Sequence, residues 1–428
     1  MRRLRLALAG LVIFGGPIVF GGGVAAQEGT PEAGGPPGAP PPPAGCEVVA
    51  EGLVNPRMVA IAEDGTLYVT EAGAGGDEPL TPPDDEAAEA VVGTPGAELV
   101  EEGTPAPSEE EGPPVDEGGP PPTRGDTGQV TAVSPDGTQS VLATGLASYS
   151  FGSGPVGIAL ANGLVYVAVG GAAPSIGIES LPTENSVVSI DPASGEVTVV
   201  AELGSFEVDN NPDGADINPN LYGMDLGSDG QLYVADAGGN TVFTVDPAAG
   251  TFELLGTIPE RPLPAELAPP TDATPGAEAP ALQAVPTALD VGADGNVYVG
   301  LLGEPPGSAQ VLIAQADGSF VEAATGLTAV TGVTLGLDGA LYAAQLTTDF
   351  EAFAPGIVVR IGEDGSAEPV LEGLATPQGI AFGADGALYV VTNTVAFGPG
   401  EPQGQVLRCE IAAGGELGTP TAARPAAA

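Results

Sequence analysis

Six copies of one short unit constrain this chain more than any other feature. They are Asp64-Gly65-Thr66-Leu67-Tyr68-Val69, Asn162-Gly163-Leu164-Val165-Tyr166-Val167, Asp229-Gly230-Gln231-Leu232-Tyr233-Val234, Asp294-Gly295-Asn296-Val297-Tyr298-Val299, Asp338-Gly339-Ala340-Leu341-Tyr342-Ala343 and Asp385-Gly386-Ala387-Leu388-Tyr389-Val390. Asp-Gly or Asn-Gly supplies the positive φ that a tight hairpin needs. The Leu/Val-Tyr-Val run after it is strongly strand-prone. A unit recurring six times means a repeat architecture, and the rest of the chain is read against it.

Each repeat keeps one order. A strand of the type Pro-x-Gly-Ile-Ala comes first, as in Pro155-Val156-Gly157-Ile158-Ala159 and Pro377-Gln378-Gly379-Ile380-Ala381. The hairpin and the Tyr strand follow, then a connection of variable length. A third strand begins near a Gly or Asn, a second turn carries Asp-Gly or Asp-Pro, and a fourth strand closes the unit. Six units of four antiparallel strands predict an all-β fold, a six-bladed β-propeller.

The sixth unit stops after its third strand, Val406-Leu407-Arg408-Cys409-Glu410. A lone strand, Cys46-Glu47-Val48-Val49-Ala50, precedes the first unit. Placing that strand on the last blade completes both and closes the ring. The chain's two cysteines, Cys46 and Cys409, then lie on adjacent strands, and a disulfide between them is expected in an oxidising compartment.

Composition excludes whole classes of chemistry. The chain has no His and no Lys. That removes Ser-His-Asp and Cys-His nucleophile systems, His-ligated metals, Schiff-base lysines and the phosphate-loop lysine. Nine arginines against 57 acidic residues give a formal net charge of −48. Such a charge repels nucleic acid and anionic lipid, so neither is expected as a partner. It keeps the surface solvated and attracts cations.

Residues 1–26 read as a signal peptide: Arg2, Arg3 and Arg5, an apolar run from 6 to 20, and Val24-Ala25-Ala26 before the cut. An exported protein with no membrane insertion after cleavage is expected. Residues 27–45 form a Pro/Gly-rich linker, 46–411 the propeller, and 412–428 a disordered tail. The insertion 74–125 carries 14 acidic residues and one arginine, Arg124, and is expected to be disordered.

Topology sorts the loops by face. The first-to-second and third-to-fourth turns share one face of the ring, and all are short. Every long connection falls on the other face, at 74–125, 171–185, 203–219, 259–283, 345–355 and 393–403. Binding surfaces sit on such loops over a rigid scaffold. Arg57, Glu71 and Tyr222 are the candidate ligand contacts at that mouth, with Glu71 the expected partner of Arg57. The six repeated tyrosines read as packing elements between blades. The densest polar stretch, 209–219, with the strand exit at 236–240, offers Asp209, Asn211, Asp213, Asp216, Asn218, Asp236 and Asn240. Oxygen-rich loops of this kind suit Ca²⁺, although the spacing is not that of an EF-hand. The competing reading is that these Asp and Asn residues cap their own turns. No catalytic residue is identifiable.

Several stretches resemble one family in order along the chain. They are Leu53-Val54-Asn55-Pro56-Arg57, Leu67-Tyr68-Val69-Thr70-Glu71-Ala72-Gly73, Asn211-Pro212-Asp213-Gly214 with Asp216 and Asn218-Pro219, Ala235-Asp236-Ala237-Gly238-Gly239-Asn240, and Gln283-Ala284-Val285-Pro286-Thr287. Together they look like the ScyD/ScyE family of exported bacterial propellers, over roughly residues 46–411. The resemblance implies a secreted six-bladed ring and supplies no established activity. The chain departs from the pattern at Met58, where a Gly is usual, and in the acidic insertion. More distantly the repeats resemble NHL-type propellers and gluconolactonase-like lactonases, whose channel cation is held by Glu, Asn and Asp. That set does not map onto this chain position by position. The resulting expectation is a monomeric module that binds an extracellular ligand or protein through its elaborated face, with Ca²⁺ as the candidate cation. The alternative is a metal-dependent, lactonase-like hydrolase or lyase using channel carboxylates.

Overall fold

Local turn chemistry builds the blades. In the computed structural model, the aspartate of nearly every Asp-Gly unit accepts the backbone N–H two residues on, as Asp64 does from Thr66 at 2.9 Å and Asp229 from Gln231 at 3.1 Å. The glycine after it sits at positive φ, +87° at Gly65 and +82° at Gly230. The second hairpin of a blade repeats the device with Asp136, Asp191, Asp246, Asp317 and Asp364. These turns fix the strand register, so Tyr68, Tyr166, Tyr233, Tyr298, Tyr342 and Tyr389 each pair with the same position of their first strand.

The structure describes residues 41–80, 122–263, 281–394 apart from 304, 351 and 353, and 403–411. The expected signal peptide, most of the linker, and the tail from 412 lie outside these residues. Six antiparallel sheets of four main strands form a six-bladed propeller. The first strands are Pro56–Ile61, Pro155–Ala161, Leu221–Leu226, Pro286–Val291, Val330–Leu335 and Ile380–Phe382. Each touches the next, and the last touches the first, so they line a central channel. One helix, Gly204–Asn210, packs beside blade three. Among the described residues no helix is long and apolar enough to cross a membrane.

The hydrophobic core is divided among the six junctions between blades. Tyr68 packs with Ile158 of blade two, Tyr233 with Leu289 of blade four, and Tyr389 with Val59 of blade one. Tyr342 meets Phe382 of blade six edge to face, with ring centroids 4.9 Å apart. The tyrosines therefore join neighbouring blades, as the repeat implied.

The glycine of the Pro-x-Gly strand answers to close approach between these blades. A Cβ at Gly332 would stand 2.2 Å from the Gln378 carbonyl oxygen of blade six. Blade four tolerates Ala288 and blade one Met58 at the matching position. Gly332→Ala is expected to destabilise the ring by about 2 kcal/mol through this backbone clash. Ala288→Gly should change stability by less than half of that, and comparing the two variants in urea melts checks the contrast.

Ring closure follows the strand count. The strand Cys46–Leu53 pairs antiparallel with Gly404–Cys409, with Cys46 opposite Cys409, and so supplies the fourth strand of the last blade. Cys46 and Cys409 are disulfide-bonded, as expected. Every described connection on the hairpin side has six residues or fewer, and the long ones emerge on the opposite side.

Blade one departs from the expectation of a disordered insertion at the insertion's two ends. Thr123–Val133 and Gln139–Tyr149, eleven residues each, run past the blade as a ribbon. Glu78–Pro79 adds a short strand to it. Arg124, mostly buried, holds the ribbon through a 2.5 Å ion pair with Glu78 and a bond to the Glu179 carbonyl. Residues 81–121 lie outside the described residues.

Candidate functional site

Three polar clusters stand on or beside the channel. The first closes its elaborated mouth. Arg57 enters from the start of blade one and is 5% exposed. Its Nη1 donates to Gln378 Oε1 at 3.1 Å and to the Thr394 carbonyl at 3.0 Å, both of blade six. Its Nη2 donates to the Gly152 carbonyl, which leads into blade two. Gln378 Nε2 then donates to the Tyr222 hydroxyl at 2.7 Å. Tyr222 belongs to blade three, opposite blade six, so this chain of bonds spans the ring. Burial pulls the Arg57 guanidinium down, because its acceptors are neutral.

Glu71, expected beside Arg57, is engaged elsewhere. Its Oε2 accepts the Val54 N–H at 2.6 Å, and its Oε1 accepts from Gln129 at 2.9 Å and from the Thr131 hydroxyl. It ties the entry of blade one to its second and third strands. The reason is local: Glu71 ends its strand facing the Gln129 strand, whereas Arg57 turns inward to the carbonyls of two other blades.

The second cluster is the channel wall. Toward the hairpin side the first strands enclose a cavity of about 430 Å³. Its wall mixes apolar side chains, Met58, Leu160, Leu289, Val333 and Phe382 among them, with polar backbone and two half-buried acids, Asp225 and Asp290. Asp225 accepts the Val291 N–H at 2.8 Å and Asp290 the Leu335 N–H at 3.1 Å, each from the following blade. Burial pushes the Asp225 carboxyl up to about 6. Burial, and then the charge of Asp225, push Asp290 up to about 7. A carboxyl poised near neutrality can donate or accept a proton. Sequence reasoning missed this pair, although a signal exists. The residue opposite the repeated Tyr is Ala60, Ala159, Asp225, Asp290, Thr334 and Ala381 around the ring.

The third cluster lies in the loops of blade three. Of the seven oxygen-bearing residues proposed for a cation, Asp209 and Asp216 face solvent. Asn240 is fully used by the protein: its Nδ2 donates to Asp213 and Gln283, both at 2.7 Å, and its Oδ1 accepts the Val285 N–H at 2.9 Å. This holds Val285, a β-branched residue at φ +48°, in the left-handed region just before the first strand of blade four. Asp213 Oδ1 accepts the Ala215 N–H at 2.9 Å. Asn211 caps the helix at φ +41°, and its Nδ2 donates to the Ala215 carbonyl at 2.8 Å. Asn218 is half-buried, its carbonyl pressed against Gly238. Much of the loop therefore does cap its own turns.

Asp236 is the exception. It is fully buried, and its Oδ1 accepts N–H bonds from Asn220 at 2.8 Å, Gly239 at 3.0 Å and Gly238 at 3.1 Å. Its Oδ2 has no partner, and the neighbouring buried Glu207 makes no regular hydrogen bond, with the Asn218 backbone N–H the one donor acting on it. Burial pushes Asp236 up to about 6, and burial with Asp236 and Asp213 pushes Glu207 up to about 7. Sequence reasoning missed Glu207 as well. Among the described residues, no three carboxylate or cysteine side chains converge as a metal-ligand group.

No protein-family model matches this chain, and no curated protein does. Solved structures similar in shape include a putative glucose dehydrogenase from Thermus thermophilus, at 16% identity, TM-score 0.48, covering 85% of this chain and 98% of that one. The PQQ-bound aldose sugar dehydrogenase of Streptomyces coelicolor aligns at 16% identity, TM-score 0.47, over 86% and 100%. A putative gluconolactonase aligns at 12% identity, TM-score 0.46, over 87% and 94%. Likeness at this level transfers neither a ligand nor a reaction.

Proposed function

We propose that this chain is an extracytoplasmic, ScyD/ScyE-like propeller that acts as a monomeric binding module. Its docking side is the loop-elaborated face, and its partner is an extracellular ligand or protein. The observation that carries this reading is the Arg57–Gln378–Tyr222 bridge. It gives the long loops a rigid floor on the one face where they all emerge, and rigid scaffolds under variable loops are how propellers present binding surfaces. Ca²⁺ enters this reading as an organiser of those loops rather than as a reactant.

Hydrogen exchange in the presence of the producing cells' secreted material tests it. Protection of the loops at 170–185, 203–219 and 345–350, with the Asp-Gly hairpins unchanged, is the expected result. Protection confined to the hairpin side or the channel wall sinks the reading.

A second reading, hydrolase or lyase chemistry in the channel, is favoured by one observation: Asp225 and Asp290 share a 430 Å³ cavity with carboxyls raised toward neutral pH. Among the described residues no third Asp, Glu or Cys joins these two, so the reading rests on the carboxyl pair itself. Turnover of simple lactones that disappears in both Asp225→Asn and Asp290→Asn would move this reading to the front.

A further inference from the structure

We infer that Glu207 and Asp236 form the anionic half of a site for a hard divalent cation, set between the helix Gly204–Asn210 and the second-strand exit of blade three. The two side chains are 1% and 0% exposed. Three of their four oxygens, both of Glu207 and Oδ2 of Asp236, make no regular hydrogen bond, and the Asn218 backbone N–H is the one donor that acts on Glu207. A buried carboxylate without a partner is strongly disfavoured, and two side by side more so, unless a positive charge joins them. Among the described residues no arginine does so: the charged neighbours that act on this pair are each other and Asp213, all acidic.

The two carboxylates converge on one residue. The point where a Cβ of residue 239 would stand is 2.9 Å from Glu207 Oε2 and 3.1 Å from Asp236 Oδ2. Residue 239 is a glycine, so the two unpartnered oxygens converge beside it with no side chain between them, and any Cβ there would crowd both. Its backbone does not need glycine for a left-handed turn, because its φ lies outside the positive region. The cross-strand partner of Asp236 is Thr241, fully buried, whose Oγ1 also lacks a partner. Asn211 Oδ1, at the end of the helix, is another buried oxygen without one. The remaining Asp236 oxygen, Oδ1, is locked by three backbone N–H groups, which fixes the direction of Oδ2.

The donor set chooses the ion. Every candidate donor is an oxygen, and the chain offers no imidazole and no free thiolate. Two carboxylates balance a charge of +2, and an irregular set of carboxylate, amide and hydroxyl oxygens suits Ca²⁺ better than a strictly octahedral ion. Such an ion would clamp the helix and the 203–219 loop onto blade three. Its role as an organiser of the docking face rests on the binding reading above, but its presence does not.

The test is titration of the purified, metal-stripped protein with Ca²⁺ in about 150 mM salt, by calorimetry and by thermal melt, on wild type, Glu207→Gln and Gly239→Ala. One ion per chain is expected, with a rise in Tm of about 3–5 °C when Ca²⁺ exceeds its Kd a hundredfold. Glu207→Gln should weaken binding at least tenfold. Gly239→Ala, which crowds both unpartnered oxygens without removing a charge, should abolish the rise, and it carries the test if Glu207→Gln does not fold. Absence of stoichiometric binding overturns the proposal. So does binding that both substitutions leave unchanged, which would place the ion on the acidic insertion. If Ca²⁺ instead has no effect and Glu207→Gln is as stable as wild type or more so, the pair shares a proton and the site does not exist. Stoichiometric binding without face-specific protection by secreted material would leave the site standing and remove the docking reading alone.

Discussion

Breaking the Cys46–Cys409 bond is expected to cost this protein more stability than any other single covalent change. The bond joins residues 363 apart in sequence, and it joins the first strand of the fold to the last. Loop-closure entropy for so long a loop sets an upper contribution of about 6 kcal/mol, reduced by whatever structure the reduced unfolded chain keeps. The effect should exceed that of an ordinary surface disulfide for a second reason. The strand Cys46–Leu53 is the outermost strand of its blade, paired with one strand and otherwise held by the Gln139 side chain of blade one at the Glu51 backbone. Without the bond it can peel away and expose the Gly404–Cys409 edge. The double variant Cys46→Ser/Cys409→Ser should therefore unfold at lower urea, and should show a tendency to associate that the oxidised protein lacks. Equal midpoints for the oxidised protein and the double variant would mean that strand pairing alone closes the ring.

The second large effect is a pH dependence located in the channel. Asp225 and Asp290 have folded-state pKa values of about 6 and about 7, above the ordinary 3.8. The native state therefore binds more protons than the unfolded chain between roughly pH 4 and pH 7, and stability falls as pH rises through that window. At about 1.4 kcal/mol per pKa unit, discounted for partial exposure, the pair should lower stability by about 2–3 kcal/mol between pH 4 and pH 8. Asp290→Asn keeps an acceptor for the Leu335 N–H and removes the charge. It should melt higher than wild type at pH 8, match it near pH 4, and flatten the profile between. Glu207 and Asp236 titrate in the same window and with the same sign, so the quantity to read is the difference between variant and wild type. A variant with an unchanged slope, or a lower Tm at pH 8, would show that the channel acids are already accommodated.

What could be read from the sequence follows how local the chemistry is. The Asp-Gly turns, the Tyr strands and the missing fourth strand are each determined by a few adjacent residues. The fold and its closing disulfide follow from them. The functional clusters are not local in this sense. Arg57 meets Gln378 across 321 positions, and Gln378 meets Tyr222 across 156. The other acceptors of Arg57 are the carbonyls of Gly152 and Thr394, and a carbonyl leaves no mark in a sequence. Glu71 reads as the partner of Arg57 because both flank the same hairpin, but the pairing of strands gives it to Gln129 and Thr131. Glu207 lies on a seven-residue helix, too short for its periodicity to show which face is buried. Asp225 and Asp290 are legible in principle. Aligning the six first strands on their tyrosines puts two acids where three blades have Ala, and that comparison needs no structure.

The bond opposite the strand pairing of the last blade has a mechanical meaning as well. A pull applied to the chain on either side of the ring enters at Cys46 and leaves at Cys409, which face each other across one pair of strands. The sulfur bridge is the shortest covalent path between them, so tension passes through it and bypasses everything in between. All six blades, the channel and the loops of the elaborated face hang on that bridge as an unloaded loop. A protein held in a moving or shearing envelope by its two ends would keep its face in shape for as long as the bridge stays oxidised. Reduction would place the whole ring in the line of force at once.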